Sequence, residues 1–394
     1  MENFIYNAPT KVLFGRDAEL EAGREVRRFG GARVLLVYGG GSAVKSGLLG
    51  RIEGALDAEG LPHRALGGVQ PNPRLELAQQ GVREAMEFGA DFILGIGGGS
   101  VLDTAKAIAI GAAHREADRL WGFWDGSLQP ERALPMGAVT TIPAAGSETS
   151  NSAVLNNQAL GLKRGLNVEL NRPRFAILNP VLCATLPPYQ VACGAADVLM
   201  HTLERYFVRP GQNELTGELA EGLMRTVVHN GPLAVANPAD YGPMSELLWA
   251  GSVSHVGLTG LGTVPSGFPL HQLGHELSAE FDAAHGASLT AVWGGWARFV
   301  LEADPARFAR YAEKVWGVSG PDTTAAALAG IEATEAWFAS MGLPTGLGAL
   351  CGVQPEETLQ KLAERCTNYG KRKIGTFRVL EAPELYEIYR AANR

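Results

Sequence analysis

Two apolar segments early in the chain end in the same four residues, Gly-Gly-Gly-Ser. Residues 33–38 lead into the first of these turns at 39–42, residues 92–96 lead into the second at 97–100, and a helical pattern follows each turn. A strand that is apolar along its whole length is typical of a parallel sheet with helices on both faces. Strand, glycine turn and helix, repeated in this way, predict an α/β domain with a parallel sheet.

The alternation of strands and helices ends near Pro187-Pro188. Before that point, further strands are predicted at 135–141 and 175–178, and helices at 53–59 and 74–88. After it, helices are predicted at 191–208, 215–228, 244–257 and 306–315, and no alternating strand pattern follows. At 394 residues the chain is too long for one ordinary core. We therefore predict an α/β domain at 1–185 and an all-helical domain at 186–394, with a ligand-binding cleft between them.

The two glycine turns are suited to a ligand that carries phosphate groups. Glycine allows close backbone approach, and the helix that follows offers unpaired N–H groups and a positive dipole end. The second turn, Gly95-x-Gly97-x-x-Ser100, lacks the third glycine of the dinucleotide-binding pattern, so it is a weak signal by itself. Two such turns in one domain favour a nucleotide over two ordinary connections between strand and helix.

The first turn also bears on which dinucleotide binds. Many NAD sites place a carboxylate at this strand end, where it accepts a hydrogen bond from the ribose 2′-OH. Residues 39–42 contain no acidic side chain that would repel a 2′-phosphate, which favours NADP(H), with NAD as the alternative. Lys163 and Arg164 are candidate cations for that phosphate, the alternative being two solvated surface side chains.

The charge and the cysteine content exclude several kinds of partner. With 34 Lys and Arg against 41 Asp and Glu, the net charge of −7 leaves no basic surplus for a nucleic acid or an anionic membrane. The sequence shows no secretory signal, and no apolar run reaches the roughly 18 residues of a membrane span. The four cysteines form no CxxC pair and are typical of reduced cytosolic thiols, so we expect a cytoplasmic protein.

Histidines near carboxylates in the helical half form a candidate metal site. Asp197 and His201 are four residues apart, so a helix places both on one face, although such pairs are common and often structural. The sequence His271-Gln-Leu-Gly-His275 follows later in the chain. Gln272 stands where the HExxH motif of metalloproteases requires glutamate, which excludes that class of enzyme.

A fourth candidate ligand, His285, requires a break in a helix. On one straight helix His271 and His285 would lie about 21 Å apart, so they could share a metal only if the helix breaks between them. Residues 281–286 offer a break, because Asp282 can cap a new helix that starts near His285. With Asp197 and His201 they can then form a four-ligand set, and such a set suits either zinc or ferrous iron.

Six segments carry a resemblance to a known family. They are residues 35–42 (LLVYGGGS), 71–73 (PNP), 95–106 (GIGGGSVLDTAK), 143–148 (PAAGSE), 194–204 (GAADVLMHTLE) and 271–285 (HQLGHELSAEFDAAH). Over nearly its whole length the chain resembles the iron-containing (group III) alcohol dehydrogenases, most closely their butanol dehydrogenase and NADPH-dependent aldehyde reductase branch. The last two segments together are the most specific.

The resemblance implies a role for each candidate residue. It assigns the catalytic divalent metal to Asp197, His201, His271 and His285. It places His275 and Asp103 near the nicotinamide, as catalytic residues. It assigns the dinucleotide to Gly40, Ser42, Asn72, Gly98, Gly99, Ser100, Asp103, Thr141, Lys163, Leu182 and Thr185. It also implies a homodimer.

The sequence departs from the family pattern at two turns. Ala145 stands where relatives often have threonine, and Asn179 replaces a common aspartate before Pro180. Residues 121–124, Trp-Gly-Phe-Trp, fall near the position of the substrate loop of relatives, the alternative being an apolar loop that packs on the surface.

The expected activity is metal-dependent hydride transfer between NADP(H) and a small primary alcohol or aldehyde, with Lewis-acid stabilisation of the developing alkoxide. In the reduction, His275 or a chain of water molecules would return the proton. The main alternative is a non-redox lyase or cyclase of the dehydroquinate synthase type, which would need cations for a phosphorylated substrate, and few Lys or Arg lie near the metal helices. A metal-dependent hydrolase would leave both glycine turns unexplained, and a nucleotide sensor would not need four metal ligands.

Overall fold

The computed structural model describes residues 1–144, 146–208 and 213–394, which form two compact units. The sheet unit contains residues 7–186 and 239–256, and the helical unit contains residues 1–6, 187–238 and 257–394. This division differs from the predicted 1–185 and 186–394 because residues 239–256 group with the sheet and residues 1–6 group with the helices. Ala145 lies outside the described residues.

Residues 239–256 and residues 1–6 are each held in their unit by hydrogen bonds to residues far away in the sequence. In the sheet unit, the hydroxyl of Ser252 donates to the carboxylate of Glu148, which is 104 residues away in sequence. Thr149 Oγ1 donates to the carbonyl oxygen of Ser252 at 3.3 Å. In the helical unit, the N–H of Glu2 donates to the carbonyl oxygen of Gly262 at 2.9 Å. Pairings of this kind leave no periodic signal in the sequence, so the pattern placed both segments with their neighbours in the chain.

The strands and helices alternate as follows. The described strands are β1 (Lys11–Phe14), β2 (Val34–Gly39), β3 (His63–Val69), β4 (Phe92–Gly97), β5 (Met136–Thr140), β6 (Ser152–Asn157), β7 (Leu162–Asn167) and β8 (Phe175–Leu178). The helices of the sheet unit are α1 (Ala22–Arg28), α2 (Ser42–Lys45), α3 (Leu48–Ala58), α4 (Leu75–Phe88), α5 (Gly99–His114), α6 (Trp121–Asp125) and α9 (Tyr241–His255). Those of the helical unit are α7 (Pro188–Tyr206), α8 (Glu214–Ala236), α10 (Pro269–Phe281), α11 (His285–Val300), α12 (Pro305–Tyr311), α13 (Thr323–Ser340), α14 (Leu347–Cys351), α15 (Glu356–Cys366) and α16 (Ala382–Ala392).

The main sheet confirms the predicted α/β architecture. Its strand order is β1-β8-β5-β4-β2-β3, and every neighbouring pair is parallel. Alternate residues of β2 enter different cores, with Leu36 in the cluster that contains Ile52 of α3 and Leu35 in the cluster that contains Ile108 of α5. Every residue of β4 and β5 is buried. Strands covered on both faces need a continuous apolar run, which is why the sequence predicted β2, β4, β5 and β8.

Four strands were missed, each for a physical reason. β1 is four residues long and lies at the edge of the sheet, and β3 contains Gly67 and Gly68, which weaken a strand pattern. β6 and β7 pair antiparallel outside the main sheet. Their sequences are SAVLNN and LKRGLN, in which no more than three apolar residues are consecutive and asparagine, lysine and glycine interrupt the pattern. They therefore show neither a long apolar run nor a clean alternation.

The helical unit confirms the predicted helices after residue 187, apart from the stretch at 244–257, which is α9 of the sheet unit. The long helix α7 is buried over most of its length, and its neighbours include α8, α10 and α11. No described helix combines the length and the apolar character that crossing a membrane requires.

The predicted break between His271 and His285 is present, but Asp282 acts differently from the prediction. Asp282 follows α10 in the left-handed conformation, with φ of 51°, and so ends that helix. α11 begins at His285 after Ala284, and no side chain caps it. The prediction that Asp282 caps the second helix was therefore wrong. The chain turns within three residues because Asp282 leaves the right-handed helical region.

Residues 121–124 form part of the core, not a loop. They begin α6, whose Phe123 and Trp124 are buried. Trp124 Nε1 donates to the carbonyl oxygen of Ala153 at 2.9 Å, and the ring of Phe123 lies 4.9 Å from that of His114. The alternative of a surface loop was wrong because the two aromatic side chains pack inside the sheet unit, and a role of this segment at the substrate stays a prediction.

Candidate metal centre and dinucleotide site

The glycine turns lie at the carboxyl edge of the parallel sheet. β2 and β4 are neighbours, so the turn between β2 and α2 and the turn between β4 and α5 emerge at the same edge. The N–H of Thr141 donates to the carbonyl oxygen of Gly97 at 3.2 Å, so the end of β5 lies beside the second turn at the same edge. The predicted residues at this edge are Gly40, Ser42, Gly98, Gly99, Ser100 and Thr141. Ligands of open α/β sheets bind at this edge, where helix N-termini attract phosphate.

A cavity of about 350 Å³ adjoins the first glycine turn. It is lined by Tyr38, Gly39, Gly40, Gly41, Val44, Lys45, Gly67 and Gly68. Gly41 has a φ of +137°, which side chains other than glycine rarely adopt, so this turn depends on glycine. The lining residues, all within the described chain, include the cation Lys45 and no carboxylate.

Asn72 and Lys163, predicted separately, form a buried pair. Asn72 adopts the left-handed conformation with φ of 56°, and its Oδ1 accepts a hydrogen bond from Lys163 Nζ at 2.9 Å. Lys163 is 5% exposed, so it is not a solvated surface cation. Arg164 turns back and donates to the carbonyl oxygen of Lys163 at 3.0 Å.

The last two predicted dinucleotide residues follow β8. Leu182 packs against one face of the sheet, and Thr185 is exposed beyond the 3-10 helix Pro180–Cys183. Asn179, the departure from the family pattern, begins this helix, and its Oδ1 accepts from the N–H of Val181 at 3.0 Å. An asparagine therefore serves here as the cap that aspartate also provides.

A buried lysine organises the surroundings of Asp103. Lys106 is 1% exposed, and its Nζ donates to the carbonyl oxygens of Ser147 and Ser152, both at 2.7 Å. Asp103 accepts from Ser147 Oγ at 2.7 Å and from the N–H of Val154 at 2.9 Å. Burial raises the pKa of Asp103, although the charge of Lys106 opposes it. Burial also lowers the pKa of Lys106 to about 8, although neighbouring carboxylates oppose it.

Sequence reasoning missed both Lys106 and Ser147. The available signal was a single lysine inside the apolar helical stretch AKAIAI of α5, where a charge is unexpected unless it has partners.

The four predicted metal ligands converge in the helical unit. Asp197 Oδ1 lies 3.5 Å from Nε2 of His201, 3.5 Å from Nε2 of His271 and 3.6 Å from Nε2 of His285. The Nε2 atoms of His201 and His271 are 3.0 Å apart. Asp197 and His201 come from one face of α7, His271 comes from the first turn of α10, and His285 is the first residue of α11.

These distances fit a metal ion. In a tetrahedral site with metal–ligand bonds of about 2.1 Å, neighbouring donor atoms are about 3.4 Å apart. The four separations given above, 3.0–3.6 Å, lie around that value. The donor atoms of Asp197, His201 and His271 all lie within 4.8 Å of one another, and His285 joins this group through its contact with Asp197. One carboxylate and three imidazoles are ligands that divalent iron and zinc accept.

The close approach of α11 to α7 depends on Gly286. A Cβ atom at this position would lie 2.1 Å from the carbonyl oxygen of Cys193, which is far inside van der Waals contact. Glycine therefore allows the first turn of α11 to pack directly on the backbone of α7, and this contact brings His285 to Asp197.

The pKa of His271 is strongly perturbed by its neighbours. Its burial lowers its pKa, but the charge of Glu204 and hydrogen bonds to Asp197 and Glu204 outweigh burial and raise the pKa to about 9. A metal ion must displace this proton, so the affinity of the centre for a metal is expected to rise with pH.

His275 lies beside the centre but is not one of the converging donors. Its ring is 6.3 Å from that of His271 and 5.5 Å from that of His285, and the side chain is half-buried. It occupies the same face of α10 as His271, one turn further along.

Comparisons with known proteins agree with these features. The family model described as iron-containing alcohol dehydrogenase matches residues 9–180, and the C-terminal model of the Fe-containing alcohol dehydrogenase family matches residues 191–393. The chain is 35% identical over 396 residues to the NADPH-dependent aldehyde reductase YqhD of Escherichia coli, covering 100% of both chains. It is 33% identical to the NADH-dependent butanol dehydrogenase A of Clostridium acetobutylicum, covering 99% of each.

A solved structure shows the same fold. The crystal structure of NADH-dependent butanol dehydrogenase A from Thermotoga maritima superposes with a TM-score of 0.95 at 33% identity, covering 100% of this chain and 99% of that one. The chain therefore belongs to the iron-containing alcohol dehydrogenase family, whose members use a nicotinamide cofactor and a divalent metal to interconvert alcohols and aldehydes.

Proposed function

We propose that this enzyme reduces small aldehydes and oxidises the matching primary alcohols, with a preference for NADP(H), at a divalent metal held by Asp197, His201, His271 and His285. The observation that carries the proposal is that Asp197 Oδ1 lies 3.5–3.6 Å from the Nε2 atoms of all three histidines, while the Nε2 atoms of His201 and His271 are 3.0 Å apart. A nucleotide sensor has no need of such a centre, and a hydrolase has no need of the two glycine turns.

The cavity beside the first glycine turn supports the preference for NADP(H). It contains Lys45 and lacks a carboxylate, so a 2′-phosphate meets attraction there and no repulsion. The relatives include proteins named for NADPH and for NADH, so the preference is argued from this cavity and not from their names.

The residues of the chain hold the reacting groups and move a proton. When bound, the dinucleotide supplies the hydride and the divalent ion supplies a Lewis acid. The N–H groups of residues 98–100, at the start of α5, are available to the pyrophosphate, and Asn72 holds the ammonium group of Lys163 in place. The imidazole of His275, or a chain of water molecules, delivers a proton to the substrate oxygen in the reduction.

A direct assay tests the proposal. Protein mixed with NADPH and butanal should oxidise the cofactor, which is followed at the absorbance of the reduced nicotinamide, and NADH should support a lower kcat/KM. Reconstitution of the metal-free chain with Fe²⁺ or Zn²⁺ identifies the ion that supports turnover. A lyase or cyclase of the dehydroquinate synthase type would produce no net cofactor oxidation, so a flat absorbance with either ion would reject the proposal.

Substituting Gly39 by aspartate should shift the cofactor preference toward NADH. A Cβ at Gly39 would lie 3.6 Å from the nearest atom, the carbonyl oxygen of Val69, so the backbone here has room for a Cβ. A carboxylate at this strand end should repel a 2′-phosphate and accept a hydrogen bond from a ribose 2′-OH, so we expect the ratio of kcat/KM for NADPH over NADH to fall at least tenfold, which is about 1.4 kcal/mol. The neutral Gly39→Asn variant is the matched control, and an equal shift in both variants would show that charge is not the cause.

Substituting His275 by alanine should reduce kcat about a hundredfold and change the shape of its pH profile, because a positioned proton donor contributes about that factor. The measurement is kcat for butanal reduction across the pH range. His229→Ala removes an exposed histidine of α8 and serves as the control, with unchanged kinetics. If His275→Ala keeps full turnover at all pH values, His275 is not the proton donor, and a chain of water molecules delivers the proton to the substrate oxygen.

We also infer a homodimer. β1 forms an edge of the main sheet, and its Phe14 is 43% exposed. An edge strand with unpaired backbone groups favours pairing with another chain. Light scattering on the purified protein should give twice the mass of 41.7 kDa, and a mass of one chain would contradict the inference.

A further inference from the structure

A buried glutamate outside the ligand set contacts the metal ligand His271. Glu204 lies on α7 and is 1% exposed. Its Oε2 atom is 2.5 Å from Nδ1 of His271. Its Oε1 atom accepts hydrogen bonds from two backbone N–H groups at the start of α10, those of Leu270 and of His271, the latter at 3.2 Å.

This geometry fixes where the imidazole carries its proton. A carboxylate only accepts hydrogen bonds, so the Nδ1 atom that faces Oε2 must be the N–H of the ring. Once the ring is neutral, as metal binding requires, the other nitrogen, Nε2, presents a lone pair, and it is the atom that lies 3.0 Å from His201 Nε2 and 3.5 Å from Asp197 Oδ1. The two backbone donors on Oε1 hold the carboxylate itself, so it cannot rotate away from the ring without losing them.

We propose that Glu204 is a positioning residue of the metal centre, which sets the tautomer and the orientation of His271 so that Nε2 is ready to bind the ion. The inference rests on the ligand set proposed above. Glu204 acts through His271 and has no contact with the substrate in this role. Partners of this kind change metal affinity by about 10–100-fold in metalloproteins.

Glutamine at this position tests the proposal, because neither orientation of its amide can accept hydrogen bonds both from His271 Nδ1 and from the two backbone N–H groups. If the amide oxygen faces the two backbone N–H groups, the NH₂ group faces Nδ1 and favours the tautomer with the proton on Nε2, where the ion must bind. If the amide is reversed, its NH₂ group meets two N–H donors. Both arrangements weaken metal binding while the size and shape of the side chain stay the same.

The experiment measures the Kd of Zn²⁺ for the metal-free, full-length chain against a competing chelator. We expect Glu204→Gln to raise the Kd 10–100-fold. Glu221→Gln is the matched control, since Glu221 is a buried carboxylate of the same unit that accepts from Tyr206 and Arg310, and its Kd should equal that of the native chain. If Glu204→Gln fails to fold, Glu204→Asp is the second variant. It keeps the negative charge, but its shorter side chain moves the carboxylate away from His271 Nδ1, so it should also raise the Kd for Zn²⁺.

A purely structural role predicts a different result. In a His271→Ala background, Glu204→Gln should add no further loss of affinity if it acts through the ring, whereas an equal loss in both backgrounds would overturn the proposal. A native Kd for Glu204→Gln, together with a raised Kd for Asp197→Ala, would overturn this inference alone. A native Kd for Asp197→Ala would reject the metal centre itself, and the inference with it.

Discussion

Substituting Asp197 by alanine is expected to lower kcat/KM for butanal reduction by about a thousandfold or more. In the proposed centre Asp197 Oδ1 is the anionic donor, and it lies 3.5–3.6 Å from the Nε2 atoms of three histidines. Without it, a divalent ion would be held by neutral imidazoles alone, and its occupancy should fall. Lewis-acid stabilisation is worth several kcal/mol, and a loss of about 4 kcal/mol corresponds to a thousandfold change in rate.

A second aspartate of the helical unit provides the control. Asp322 caps α13 by accepting from the N–H of Ala325 at 2.8 Å. Asp322→Ala should lower the free energy of unfolding by about 1 kcal/mol and leave kcat/KM unchanged. Metal content is measured by elemental analysis beside the kinetics. Native activity in Asp197→Ala, with its metal retained, would contradict the assignment of Asp197 as a ligand.

Substituting Lys106 by methionine is expected to lower the free energy of unfolding of the sheet unit by about 3–5 kcal/mol, the usual effect of removing one partner from a buried charged network. Methionine has a similar length but donates no hydrogen bond. The carbonyl oxygens of Ser147 and Ser152 would lose a donor at 2.7 Å, and the carboxylate of Asp103 would lose its nearby cation. Since Asp103 is also a proposed dinucleotide contact, the Kd for NADPH should rise as well.

Two further variants separate these effects. Lys45→Met removes an exposed lysine and should change stability by less than about 0.5 kcal/mol, and it is a control for stability alone because Lys45 lines the proposed 2′-phosphate cavity. The double variant Lys106→Met, Asp103→Asn removes the carboxylate that is left unpaired and should recover part of the lost stability. Denaturant unfolding followed by fluorescence gives the stabilities. An unchanged unfolding midpoint for Lys106→Met would show that the amine does not hold this region together.

The parts of the fold that were predictable are those whose burial leaves a local pattern. β2 and β4 have continuous apolar runs because helices cover both faces of the sheet, and the glycine turns after them mark its carboxyl edge. β6 and β7 could not be found in this way, because an antiparallel pair outside the main sheet has no continuous apolar run. The position of α9 was likewise unpredictable, since a hydrogen bond across 104 residues holds it to the sheet unit.

In the candidate site, too, residues that are close in the sequence could be predicted, and contacts between residues far apart in the sequence could not. Asp197 and His201 share a helix face, so their spacing was visible, and the break at 281–285 could be anticipated from geometry. The partners of Lys106 are 41 and 46 residues further along the chain, and Glu204 is 67 residues from His271. Such contacts are created by the fold and leave no spacing rule, which is why both supporting residues emerged only from the structure.

The short connection between α10 and α11 has a consequence for how the cell maintains this protein. It places His271 and His285 together, while His201 comes from α7, 70 residues before His271, so an ion at the centre joins distant parts of the helical unit. An ion that binds only the folded chain stabilises it by about 1.4 kcal/mol for each tenfold excess over its Kd. During metal starvation we therefore expect proteolysis to remove the enzyme faster, so that its abundance follows the supply of the ion.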